Sequence, residues 1–228
     1  MHDIIVDSTD IAHVAKKLSC PKELSSRHHE FSLCLVDAYA IVEHFATQHG
    51  WQKHLKTPFI HSFQIFASQD EMWQKLKELT GVQEKHPPTD GLSSALVSGN
   101  LLAVTPEEYE RLRPEYTHID KAWTRLLAHE IIHQLHIRII GNEKRMGPKW
   151  FYEGFAMYAA GQRITDQQPS SIAEATESMH AESRGSYAKF EAVFEYFLER
   201  IELKILLKQA SRHDFQTWLI DYLSNGEK

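Results

Sequence analysis

The chain has 228 residues, 42% of them hydrophobic, which is enough to bury a sizeable core without disulfides or a second chain. A formal net charge of −6 and a pI near 6.2, with no long run of Lys or Arg, exclude the electrostatic footprint of a nucleic-acid or anionic-membrane binder. The opening residues Met1-His2-Asp3-Ile4-Ile5-Val6-Asp7 lack a basic start and a long apolar stretch, and no segment approaches the roughly eighteen apolar residues of a membrane span, so a soluble, cytoplasmic protein is expected. Cys20 and Cys34 are the two cysteines, and Cys34 reads as a small buried hydrophobe.

Residues 31 to 48 carry Leu33, Leu35, Val36, Ala40, Ile41, Phe45 and Ala46 at near-helical spacing, and Gly50 supplies a left-handed stop, so a core helix is predicted. The aromatic and β-branched run from Phe59 to Phe66 predicts a half-buried strand. A helix follows it, with Ser68 and Glu71 as a capping box, Trp73, Leu76 and Leu79 as its apolar face, and Gly81 at its end. Pro87, Pro88 and Gly91 make residues 83 to 91 a loop. Ala95-Leu96-Val97 and Leu101 to Val104 flank Ser98-Gly99-Asn100 and read as a hairpin. Thr105-Pro106-Glu107-Glu108 is then a second helix start.

Beyond Asp120 the pattern turns helical, over about 121 to 139, 149 to 160, 186 to 200 and 213 to 223, with a polar loop near 164 to 182. Strands in the first half and helices in the second predict an α+β architecture, a small mixed sheet lobe (1–119) followed by a helical lobe (120–228) within one catalytic domain.

The chemistry concentrates at His129-Glu130-Ile131-Ile132-His133. Fifteen histidines lower the value of that pentapeptide, since composition alone would produce an H-E-x-x-H roughly one time in ten. Its context raises the value again. Trp123, Leu126, Leu127, Ile131, Ile132 and Leu135 place it on a helix, where residues four apart are separated by about 40° in azimuth and about 6 Å along the axis. His129 and His133 can therefore share one ion, with Glu130 turned about 100° to the side. His136 lies about 10 Å along the axis from His129, too far to join them, and is expected at the surface or behind the ligands. A third ligand comes from the segment Lys149 to Ala160, almost wholly apolar, in which Glu153 is the lone acid. A buried carboxylate needs a strong partner, and a zinc ion carrying two histidines is one. Gly154 beside it would let this helix and the histidine helix approach closely.

At these residues the chain resembles the gluzincin metallopeptidases, in which H-E-x-x-H is followed by a glutamate ligand on a second helix. Trp150-Phe151-Tyr152-Glu153-Gly154-Phe155-Ala156 is similar to the W-x-x-E-G-x-A of aminopeptidase-N-like members, and nineteen residues separate His133 from Glu153, close to their spacing. Tyr152 stands where those members have asparagine, and the G-x-M-E-N motif that holds a free amino terminus is absent, so aminopeptidase specificity is not implied. Met157 replaces the aspartate of thermolysin-like members, leaving Asp120 and Glu191 as open choices for orienting the histidines.

The resemblance implies a zincin-like fold with the active site between its lobes, and one zinc ion on His129, His133 and Glu153. It implies hydrolysis of a peptide or protein substrate by an activated water, with Glu130 as general base. Tyr187 is the expected donor to the tetrahedral oxygen, with Tyr158, His180 and Arg184 as alternatives, and the hairpin at 93 to 104 is a candidate peptide-docking edge. The competing reading is a zinc-binding regulatory protein without turnover; Glu130 argues against it, because a structural zinc site has no use for an acid beside its ligand. Trp123, Trp150 and Trp218 are expected in the core, and His28-His29 with His44, His49 and His54 on solvated faces.

Overall fold

The computed structural model describes residues 13, 15–88, 91–164, 167–180 and 187–226. They form a four-stranded sheet, β1 (Leu18–Ser19), β2 (Ser62–Phe66), β3 (Ser94–Val97) and β4 (Asn100–Val104), and the helices α1 (His28–Gln48), α2 (Gln69–Thr80), α3 (Pro106–Leu112), α4 (Ala122–Ile140), α5 (Lys149–Ala160), α6 (Ile172–Met179), α7 (Tyr187–Leu198), α8 (Leu203–Gln209) and α9 (Phe215–Gly226). Strands do occupy the first half and helices dominate the second, the α+β arrangement that the hydropathy pattern predicts. Among these residues no helix is long and apolar enough to cross a membrane.

The chain gathers into two compact units, 1–135 and 136–228. The boundary between these units falls inside α4. Trp123 explains why the first half of that helix belongs with the sheet. Its ring lies 5.7 Å from Phe31 and 6.3 Å from Phe63, and its indole N–H donates to the Val104 carbonyl at 2.9 Å.

Within the first unit the sheet order is β1-β2-β4-β3, with β1, β2 and β4 parallel and β3 antiparallel at the edge. Ser98 and Gly99 both have positive φ, 49° and 76°, which is the signature of a two-residue type I′ turn closing the β3–β4 hairpin. The two helix starts with a predicted capping box, at Ser68 and Thr105, both use the cap, but the reciprocal contacts differ. The Ser68 hydroxyl accepts from the Glu71 N–H, while the Glu71 carboxylate accepts from Ala67. Thr105 caps Glu108 in the same way, and the Glu108 carboxylate reaches across to the Gln69 N–H at the start of α2. One acid thereby ties two helix starts together.

The face that α1 buries is Phe31, Leu35, Ala38, Tyr39, Val42, Phe45 and Ala46, whereas Leu33 and Val36, read as core positions, are exposed. Cys20 and Cys34 are both free thiols, and burial pushes the Cys34 thiol up.

In the second unit α5 runs over the predicted residues and ends at Gly161, a left-handed cap. Trp150 stacks on Phe215 at 6.0 Å and Phe151 packs edge-on against Phe215 at 5.1 Å. Trp218 is only half-buried, stacked on Phe215 and tilted against Tyr222, so the core reading holds for Trp123 and Trp150 and fails for Trp218. Two helices escape the hydropathy pattern. The first, α6, lies in the expected loop and buries only Ala175 and Met179, yet Ser171 accepts from the Glu174 N–H in the serine-x-x-glutamate pattern that could have revealed it. The second, α8, is a short Leu-rich turn with Leu203, Leu206 and Leu207 buried.

Gly154 is the tightest point of the second unit. A Cβ there would lie 2.5 Å from the Phe190 carbonyl oxygen and 2.7 Å from the Phe194 Cβ, so the close approach it permits is between α5 and α7. The expectation that it serves the histidine helix is therefore replaced. Because the obstacle is backbone, Gly154→Ala should force the helices apart and cost about 2 kcal/mol or more, read as a lower urea midpoint at unchanged slope.

Candidate metal centre

His129 and His133 project from one face of α4 because they are one turn apart, and their rings meet nearly perpendicular, with Nε2 atoms 3.0 Å apart. Two ligand atoms about 2.05 Å from a tetrahedral ion would be about 3.3 Å apart, so the pair is already near ligating separation. His129 is buried and His133 partly so. Glu153 enters from α5. It is buried in a helix whose other buried residues are Trp150, Phe151, Gly154, Phe155, Ala156, Met157, Ala159 and Ala160. One potential ligand atom from each of His129, His133 and Glu153 lies within 4.8 Å of the others, so the three residues predicted from sequence make a group that can hold a metal ion.

The donor set fits zinc by its chemistry: two imidazoles and a carboxylate are three protein ligands, the number that leaves a fourth position for a reacting molecule. The same atoms would suit other first-row metals, since affinity is set largely by ligand type.

Glu130 is not part of that group. Its carboxylate is turned to the sheet, where Oε1 accepts a hydrogen bond from the Ser94 hydroxyl at 2.6 Å. Ser94 begins β3 and is buried. Sequence reasoning missed it by starting the strand at Ala95. A hydroxyl beside a second buried one, Ser93, at the head of an apolar strand is the signal that could have found it.

Tyr187 starts α7, and its hydroxyl donates to Glu153 Oε1 at 3.3 Å, with the Lys149 ammonium 5.9 Å above its ring. The residue expected to serve the reacting oxygen thus rests on the carboxylate of a candidate ligand. Of the alternatives, Tyr158 packs on Phe194, and burial, with the charge of Glu195 adding, holds its phenol above the usual range. His180 ends α6, and Arg184 lies outside the described residues.

His136 is fully buried, its ring 4.6 Å from Phe155 and 6.0 Å from Phe151, so a surface position is ruled out and it is absent from the converging group. Asp120 precedes α4, and its main-chain carbonyl accepts from Arg125. Glu191 is buried within α7. His49 packs between Phe45 and Trp51, a ring contact rather than a solvated face. Among the described residues no second cluster of three potential ligands converges.

Comparison with protein-family models, curated proteins and solved structures found no match.

Carboxylate ligands are held by hydrogen bonds whose loss typically weakens metal binding by 10- to 100-fold. Tyr187→Phe, which deletes only the donated hydrogen bond to Glu153, should raise the zinc Kd by about tenfold in a chelator-competition titration. Glu153→Ala should abolish stoichiometric binding altogether.

Proposed function

We propose that this chain is a zinc-dependent peptidase, with His129, His133 and Glu153 as the metal ligands and Glu130 as general base. The observation that carries the reading is the division of labour among four neighbouring groups. Three converge on one point, and the fourth, an acid adjacent in sequence to one of them, is held apart from it by Ser94. A site that only stored or sensed a metal would have no use for that fourth acid.

A zinc ion held by these ligands supplies Lewis-acid polarisation of the scissile carbonyl and makes a water acidic enough to attack near neutral pH. The residues of the chain do the rest. Glu130 takes the proton of the attacking water and returns it to the leaving amine, so hydrolysis proceeds without a covalent intermediate. Tyr187 is the proposed donor to the oxygen on which charge grows, moving there from its resting bond to Glu153.

The edge of the sheet supports a peptide as substrate. The Val104 N–H donates to the Ser93 carbonyl, so along β3 the main-chain groups of 93, 95 and 97 face β4. By the alternation of an antiparallel pair, those of Ser94 and Leu96 face away from it. Among the described residues no strand pairs with that side. An extended peptide segment can add there as a further strand, with its main chain close to the residue that holds Glu130.

The test compares wild type with Glu130→Gln on a mixed peptide library, with bound zinc measured in both. Wild type should hold one zinc and cleave; the variant should keep its zinc and lose at least about 100-fold in kcat/KM. Stoichiometric zinc with no Glu130-dependent cleavage would instead identify a metal-binding protein without turnover, and protein without zinc that was never exposed to chelator would refute both readings.

A further inference from the structure

We propose that Ser94 is a positioning residue for Glu130: its hydroxyl holds Oε1 from the sheet, so that Oε2 is the oxygen that carries the proton. The inference rests on the peptidase reading and goes beyond it, because it assigns a role to a residue outside the ligand and general-base motifs.

The need for such a residue follows from where Glu130 sits. It is only partly buried, one residue from His129, on a side chain with three rotatable bonds. The last of these, the carboxylate torsion, has a broad and nearly two-fold preference, so packing does not set it. An untethered carboxylate there would sweep through many orientations, including ones directed at the two imidazoles that share its helix. A short hydrogen bond from a fixed donor removes that freedom.

Ser94 is suited to be the donor. Its side chain has one heavy-atom torsion, it is buried, and β3 is paired with β4 from Ser94↔Ala103 to Val97↔Asn100, so the hydroxyl oxygen has little room to move. The contact joins residues 36 apart in sequence and lies wholly within the first unit, where Trp123 seats the same helix on the same sheet. At 2.6 Å the hydrogen bond is short. With Oε1 so engaged, proton transfer through Oε2 leaves the tether intact at every stage of the reaction. A buried hydroxyl that merely needed an acceptor could have used a main-chain carbonyl; here it reaches the one acid that the reaction requires.

The experiment uses full-length Ser94→Ala, Ser94→Thr, Glu130→Gln and the Ser94→Ala/Glu130→Gln double variant beside wild type. Ser94→Ala should retain stoichiometric zinc and change KM by less than about twofold, while kcat falls by about 10- to 100-fold, the scale of a reacting group misplaced by about an ångström. Ser94→Thr, which keeps the hydroxyl, should recover most of that loss. The double variant should be no slower than Glu130→Gln, because the serine acts only through the glutamate. A readout independent of turnover comes from the metal-free protein: the infrared carboxylate bands identified by the Glu130→Gln difference spectrum should shift in Ser94→Ala and return in Ser94→Thr. An unchanged kcat in Ser94→Ala, an equal loss in the Glu130→Gln background, or unshifted carboxylate bands would each overturn the assignment while wild type still cleaves. Failure of wild type to cleave any peptide would overturn the peptidase reading and this inference together.

Discussion

A carboxylate buried at position 153 is the constraint around which the helical half is organised. Taking a carboxylate out of water costs several kcal/mol unless it is paired, and the other buried side chains of α5 are aromatic or apolar. The compensation comes from outside the helix. The Tyr187 hydroxyl donates to one carboxylate oxygen, and potential ligand atoms of His129 and His133 lie within 4.8 Å. A divalent cation shared by His129, His133 and Glu153 would offset the carboxylate's charge. Metal binding and the stability of this region are for that reason expected to be linked.

Placing that carboxylate depends on backbone proximity. Gly154, the residue after Glu153, lets α5 press against the Phe190 carbonyl of α7, and the same contact brings Tyr187, at the start of α7, to Glu153. The aromatic cluster of Trp150, Phe151 and Phe215 stabilises the N-terminal part of α5 from another side. In the first unit Trp123 plays the corresponding role. It joins α4 to β4 by a hydrogen bond and to β2 and α1 by ring contacts, and so sets the height at which Glu130 meets Ser94. Each half thus has one tightly determined packing contact close in sequence to its candidate functional residue.

What was legible in the sequence follows from the range of the forces involved. The histidine pair and the lone glutamate could be read because helical periodicity is local: spacing alone puts positions 129 and 133 on one face, and composition alone makes 153 anomalous. Caps were legible for the same reason at Ser68, Thr105 and Gly161. The misses share a different cause. Leu33 and Val36 look like core positions, but which side of an apolar helix is covered depends on neighbours far along the chain. Trp218 is half-exposed for that reason too. The helix Ile172–Met179 was hidden because it buries too few residues to show a period.

By itself, then, the sequence determined the candidate ligand set, the acid beside it, most of the helices and the hairpin, and the separation of sheet from helical half, all consequences of composition, spacing and local propensity. Tertiary structure decided the rest. It turned Glu130 toward Ser94, 36 residues away, set Tyr187 on Glu153, 34 residues away, and matched Gly154 to α7 instead of α4. Such contacts join side chains that share no periodic pattern, and only the packing of distant segments specifies which donor meets which acceptor.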